Sequence, residues 1–264
     1  MDKKSKQLFL GDAQSYTKAR PNYPAQLFST LFEYAKPSLN TKPFIIVDVG
    51  CGTGIATRGI YASIQKNTIV FGIEPNLRML AEANKIGFNK NLIFIAGQAE
   101  NLPLEHSTVD IILVAQAMQY FNRQIFYTEA QRVLRTNGTI AIIENNRNWQ
   151  ASPFLEYFEI FLEKNSYDIN QKHYSRNYRA FPFKEELTKY FANTMEKQVN
   201  WVKDMAPEAF WEMAKSSTSG QQAINNLSEK VAKQKLLKLA NNYLDQHGML
   251  NIPYMSKIYL AKKM

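Results

Sequence analysis

A chain of 264 residues, 45% of them hydrophobic, can bury a substantial core, and no break in composition divides it, so one domain over residues 1–264 is expected. A single cysteine, Cys51, excludes an intrachain disulfide and argues against a thiolate metal site, so no metal is expected. The net charge of +9 is scattered through Lys3-Lys4, Arg132–Arg135, Arg176–Arg179, Lys230–Lys238 and Lys262-Lys263, which speaks against a nucleic-acid partner. No apolar stretch nears the ~20 residues that cross a bilayer. Lys3, Lys4 and Lys6 precede no apolar core of signal length, so a soluble, cytoplasmic protein without a membrane span is expected.

In chain order, residues 1–43 read as a leader and a covering helix, whose spacing at Leu27, Phe28, Leu31 and Phe32 predicts a helix from Ala25 to Tyr34, ended by Lys36-Pro37-Ser38. Residues 44–144 alternate strand and helix. A strand from Phe44 runs into a glycine turn, and a helix is expected from Thr57 to Ile64. The strand Thr68–Glu74 leads through Pro75 to a helix with Leu77, Leu80 and Ala83, closed by Gly87. Strands Leu92–Ala96 and Val109–Val114 follow. Asn122 caps a helix carrying Phe126, Ala130, Val133 and Leu134, which Asn137-Gly138 is expected to stop before a strand from Thr139 to Glu144. Such alternation makes a parallel sheet with helices on both faces.

Residues 145–264 lose the alternation and read as the substrate-specific half. Pro153–Lys164 and Phe183–Phe191 are expected as helices, Asn170–Pro182 as a polar loop, and Lys197–Lys203 as a sixth strand. A helical insertion at 207–250 comprises Pro207–Ala214, a flexible Ser216-Ser217-Thr218-Ser219-Gly220 break, and one long helix with Ile224, Leu227, Val231 and Leu237. Ile252–Lys262 alternates as a last strand.

The most informative stretch is Asp48-Val49-Gly50-Cys51-Gly52-Thr53-Gly54. Glycines tolerate positive φ and let backbone approach a ligand closely. Glu74 ends the next strand 20 residues past Gly54, a register at which a carboxylate can take ribose hydroxyls.

Asp48 to Gly54, Gly72-Ile73-Glu74-Pro75-Asn76, Gly97 to Pro103, Val109 to Met118 and Arg132 to Thr139 together resemble the class I S-adenosylmethionine-dependent methyltransferases. The leader residues Phe9, Gly11, Ala13, Tyr16 and Ala19 to Pro24 resemble a small-molecule branch similar to trans-aconitate and quinone-biosynthesis methyltransferases. The resemblance implies a Rossmann-like, seven-stranded, mostly parallel sheet with the last strand antiparallel. It implies S-adenosyl-L-methionine as cofactor, with Asp48, Gly50, Gly52 and Gly54 at its methionine side and Glu74 on the ribose. Pro75, Asn76 and Met79 would flank the ribose or ring, although Met79 at helical spacing also reads as core. Gln98, Ala99 and Glu100 would border the adenine. Gln116 would line the place where reacting atoms meet, and Tyr16 and Arg20 would close over cofactor and acceptor or pack the leader.

On the acceptor side, His173, Tyr174, Arg176 and Arg179 share the polar loop, where an arginine pair suits a carboxylate. His106, His173 and His247 share no metal-ligand spacing. No catalytic residue is assigned, because the cofactor's methyl is already electrophilic. The expected activity is methyl transfer to a small molecule, with a carboxylate as one candidate. Two alternatives stand beside it: an RNA or protein methyltransferase, and a non-catalytic binding module retaining the fold. Ala115-Gln116-Ala117-Met118 stands where nucleobase amino methyltransferases carry Asn/Asp-Pro-Pro-Tyr/Phe.

Overall fold

The computed structural model describes residues 13–36, 43–64, 67–85, 89–177 and 181–264. Its sheet has seven strands in the order β3-β2-β1-β4-β5-β7-β6. These are β1 Phe44–Val49, β2 Thr68–Glu74, β3 Leu92–Ala96, β4 Val109–Ala115, β5 Leu134–Arg147, β6 Ala192–Met205 and β7 Leu250–Lys262. β1 pairs in parallel with β2 and β4, β2 with β3, and β4 with β5. β7 runs antiparallel to β5: Asn137 and Gly138 bond Lys263, whereas Asn148, further along, bonds Pro253. The fold is thus a Rossmann-like, mostly parallel sheet with antiparallel β5/β7/β6 pairs.

Chain contacts gather into two compact units. The larger holds residues 22–145, 181–199 and 256–264. Its strands are continuous apolar runs, and the pleat sends alternate residues to opposite faces. Val47, Ile112, Val114, Ile140 and Ile142 meet Phe126, Tyr127, Ala130 and Val133 of α5 (Arg123–Val133) and Phe183 and Leu187 of α7 (Phe183–Tyr190). Ile46, Ile111, Leu113, Ala141 and Ile143 meet Leu27, Phe28 and Leu31 of α2 (Ala25–Ala35) and Ala56 and Ile60 of α3 (Ile55–Ala62). α4 (Leu77–Lys85) packs along β2 and β3.

The other unit, residues 1–21, 146–180 and 200–255, gathers α1 (Ala13–Ala19), α6 (Pro153–Asn165), α8 (Pro207–Lys215), α9 (Thr218–Leu227) and α10 (Glu229–Ala240). Its core joins Phe154, Leu155, Phe158, Leu162, Phe210, Trp211, Leu236, Ile252 and Tyr254.

Several expectations need correction. α3 begins at Ile55, directly after Gly54, not at Thr57. Asn137-Gly138 does not stop a helix: α5 has already ended at Val133, and the pair sits inside β5. There the register steps from Val109↔Leu134 to Ile111↔Thr139, and Asn137 takes a φ of 63°, so the dipeptide accommodates a bulge. β6 is twice the expected length because it begins at Ala192. The break expected over Ser216 to Gly220 is confined to Ser216-Ser217, between α8 and α9. Ser217 Oγ caps the Gly220 amide at 3.0 Å and donates to the Ala214 carbonyl at 2.6 Å, so α9 starts at Thr218 and contains Gly220. The long helix is instead divided at Ser228, whose φ is 73°. Helix α1 was not foreseen. Phe9, Gly11, Pro37, Ser38 and Gly87 lie outside the described residues.

Candidate functional site

The glycine turn is built by β1 and β2 together. Gly50 and Cys51 both donate their backbone amides to the Ile73 carbonyl, at 2.8 and 3.0 Å, which fixes the turn over the end of β2. Gly50, Gly52 and Gly54 take φ of 71°, 56° and 80°. A Cβ on Gly50 would meet Ala117 Cβ at 2.7 Å, so packing as well as conformation requires glycine there. A Cβ on Gly52 would find only Met79 Cε, at 3.6 Å, within contact range. The turn at Gly52 therefore offers approachable backbone, and Met79, buried on α4, forms one side of it.

Glu74 ends β2 facing this turn. One carboxylate oxygen accepts from the Gly52 amide and the other from the Asn76 amide, both at 2.9 Å. Burial raises its pKa, and the two amides pull it back. A carboxylate has about four lone-pair positions, so two remain for a ligand. The Asn76 side chain accepts from the Arg78 and Met79 amides and starts α4, and Pro75 is exposed beside it.

Asp48 is fully buried at the end of β1. Its Oδ2 accepts from Thr57 Oγ at 2.6 Å, and its Oδ1 has no hydrogen-bond partner. Burial drives its pKa up to about 7, with the Thr57 hydroxyl lowering it and the Glu74 charge adding to the rise. An orphan carboxylate oxygen under a glycine turn is a place for a donor or a cation.

The segment after β3 turns at Gln98, whose carbonyl accepts from Asn101 N at 3.2 Å. Gln98 is exposed, Ala99 is buried, and Glu100 accepts from the Asn122 amide at 2.7 Å, so Glu100 secures the start of α5. Gln116, directly after β4, has a φ of 58°, a left-handed conformation that side chains rarely adopt. Its amide bonds the Ile143 carbonyl and its carbonyl accepts from Gln119, which hold it there. Phe121 packs against the core, whereas Tyr120 is 48% exposed.

In the other unit, Arg20 stacks 4.9 Å from the Tyr16 ring centroid. Tyr174 donates to Glu159 at 2.8 Å. His173 is exposed, with Nδ1 3.0 Å from the Glu163 carbonyl. Arg176 already forks onto Glu163 and lies over the Trp149 ring. Arg179 lies outside the described residues. Asp48, the glycines, Glu74, Asn76 and Met79 are thus brought together in one unit. Thr57 escaped sequence reasoning, although a hydroxyl on the inner face of the helix after the turn was a usable signal. Arg147 and Glu159 escaped it without any such signal.

No group of three metal-ligating side chains occurs among the described residues. No described helix is long and apolar enough to cross a membrane.

Residues 47–142 match a family described as a methyltransferase domain. A Dictyostelium discoideum protein named as a methyltransferase is 29% identical over 201 residues, 74% of this chain and 70% of that one. A Saccharomyces cerevisiae protein named as an S-adenosylmethionine-dependent methyltransferase is 29% identical over 49% of this chain, and the match spans only 44% of its own length. Among solved structures, one described as a type II methyltransferase from Anaeromyxobacter dehalogenans superposes with a TM-score of 0.70 at 19% identity, covering 93% of this chain and 98% of its own. That likeness speaks to the fold alone.

Proposed function

We propose that the chain is a class I S-adenosylmethionine-dependent methyltransferase and that it carries the methyl group of S-adenosylmethionine to a small-molecule acceptor. The observation that carries this reading is the Glu74 carboxylate held by the Gly52 and Asn76 amides beside an approachable glycine turn. The residues present fit the cofactor. Glu74 has acceptor positions left for ribose hydroxyls, and the backbone at Gly52 is open to the methionine part, in a turn that Gly50 and Gly54 shape. Asp48 Oδ1 suits a cationic amino group, which would favour the ionised carboxyl. Pro75, Asn76 and Met79 would flank the ribose, and Gln98, Ala99 and Glu100 the adenine, with Glu100 acting through its hold on Asn122.

When bound, S-adenosylmethionine supplies a methyl already made electrophilic by its sulfonium. The work left to the protein is to align the acceptor and exclude water, for which no general base is compulsory. Gln116, locked in an unusual conformation after β4, is the residue of the larger unit proposed to line the acceptor's position. Tyr16, Arg20, His173, Tyr174, Arg176 and Arg179 are proposed for the acceptor side. Arg176 could serve only by exchanging Glu163. A small-molecule acceptor is favoured over RNA by the scattered charge and by Ala115-Gln116-Ala117-Met118 after β4.

The test is transfer of labelled methyl from S-adenosylmethionine into a metabolite extract, total RNA and total protein offered in parallel. Label in the low-mass fraction is expected. Label confined to RNA or protein would replace the acceptor class, and no label anywhere would leave a binding module.

A further inference from the structure

In the unit of residues 1–21, 146–180 and 200–255, two guanidinium groups carry donors that no described residue receives. Arg147 closes β5 with Nη2 3.3 Å from Glu159 Oε1 and its guanidinium 5.1 Å from the Phe158 ring centroid. Its Nε is sealed from water without a hydrogen-bond partner, and so is that of Arg20. Arg20 has no ion pair among the described residues. Buried donors are nearly always satisfied in native proteins, so orphans of this kind ask for an unseen partner.

The chain leads both arginines to one aromatic cluster. Ala19, the neighbour of Arg20, and Trp149, Tyr174 and Trp201 all pack on the core that contains Phe158 and Tyr254. α1 packs on α8, whose Met213 sulfur accepts from the Tyr254 hydroxyl at 3.3 Å. The Asn148 amide, next to Arg147, bonds the Pro253 carbonyl, next to Tyr254. Burial raises the Tyr254 pKa, and Arg147 and Arg20 each pull it back.

Among the described residues the local charges do not balance. Glu163 is consumed by Arg176. The two oxygens of Glu159 are taken by Arg147 and Tyr174. Glu156 is exposed. Among the described residues Arg20 is left without a counter-charge, and Arg147 uses one long contact of the five donors that a guanidinium offers. A planar fork beside aromatic rings matches a carboxylate on an organic body better than it matches a hydrated inorganic ion.

We propose that the unsatisfied edges of Arg147 and Arg20 hold the carboxylate of an anionic small molecule, with the surrounding aromatic side chains against its body. The assignment deepens the small-molecule methyltransferase reading and rests on it for its purpose, but its test needs neither cofactor nor turnover.

All three tryptophans, Trp149, Trp201 and Trp211, belong to this unit, so intrinsic fluorescence reports on it. The full chain is titrated with acetate, succinate, propane-1,2,3-tricarboxylate and phenylacetate, and with phenylacetamide and inorganic phosphate. At least one carboxylate should give a saturable change, and the amide should give none. Arg147→Gln and Arg20→Gln should each weaken binding tenfold or more, and Arg147→Lys should restore little of it. Glu159→Gln, which removes the competing carboxylate, should tighten binding about threefold. Arg123→Gln, in the other unit, should change nothing. Thermal melts of each variant confirm that it is folded. The proposal is overturned if no carboxylate saturates, if phosphate alone binds, or if Glu159→Gln weakens binding as much as Arg147→Gln does. S-adenosylhomocysteine calorimetry on the same samples separates the two readings. Carboxylate binding without cofactor binding would sink the methyltransferase function and spare this site, and the reverse would do the opposite.

Discussion

Replacing Asp48 by asparagine should stabilise the fold while impairing the site, by an amount that depends on pH. Asp48 is fully buried, and its pKa rises from an ordinary 3.8 to about 7, chiefly through burial. A folded-state pKa above the unfolded one means that the native protein keeps a proton the unfolded chain releases. Stability from this residue is therefore complete below the unfolded value, falls as pH climbs between the two, and levels off above about 7. A little over three decades of proton affinity is worth ~4 kcal/mol, an upper figure since the native state can relax. Asparagine resembles the protonated acid and escapes the loss. Urea unfolding of the parent and Asp48→Asn should give nearly equal stabilities at pH 4 and a gap of roughly 2–4 kcal/mol in favour of asparagine at pH 8. The raised Glu74 pKa is present in both proteins and largely cancels. Thr57→Val, which removes the hydroxyl that lowers the Asp48 pKa, should move the midpoint of the parent's decline to higher pH. A gap that does not change with pH would refute the argument, because it would mean that Asp48 is not carrying a buried charge at neutral pH.

Gly50→Ala and Gly52→Ala should separate fold from ligand. At Gly50 a Cβ meets Ala117 at 2.7 Å in addition to the positive φ, so thermal melting should show a loss of more than about 2 kcal/mol. At Gly52 steric room exists and only the backbone conformation objects, at about 1–2 kcal/mol, while calorimetry with S-adenosylhomocysteine should show binding lost; equal melting losses with binding retained at Gly52 would place the ligand elsewhere. Gly220→Ala should be the most damaging exchange outside the site, by about 3 kcal/mol or more, because its Cβ would fall 1.9 Å from the Ala214 carbonyl oxygen; an unfolding free energy close to the parent's would return that corner to a loose loop. Tyr127→Phe, which removes a 2.9 Å hydroxyl bond to the Glu186 carboxylate that Arg123 also holds, should cost about 1–2 kcal/mol in urea unfolding without altering cofactor affinity.

What could be read from the residues alone was whatever depends on neighbours in sequence. The glycine turn, its acid and the strands on either side announce themselves through period and spacing, because a strand buried on both faces must be apolar throughout. Asn137-Gly138 misled because the same dipeptide ends helices and seats bulges, and only the pairing of β4 with β5 decides between them. Ser216 to Gly220 looked loose by composition, yet its hydroxyls find the Ala214 and Met213 carbonyls and close a capped corner. Ser228 divides α9 from α10 through a left-handed backbone angle that its residue type does not advertise. The Arg147–Glu159–Tyr174 group joins three separate segments, and Thr57 reaches back to Asp48 from the inner face of α3; such pairings exist only after the chain has folded.

The central claim is that the glycine turn with Glu74 is the seat of the cofactor, and calorimetric titration of S-adenosylhomocysteine into the parent and Glu74→Ala tests it most directly. The parent should bind one equivalent, and the variant, shown by circular dichroism to be folded, should bind about 10- to 100-fold more weakly, as expected for loss of a charge-assisted contact of ~1.5–3 kcal/mol. Affinity within about twofold of the parent, against that expected ~1.5–3 kcal/mol, would contradict the account and remove Glu74 from the ligand.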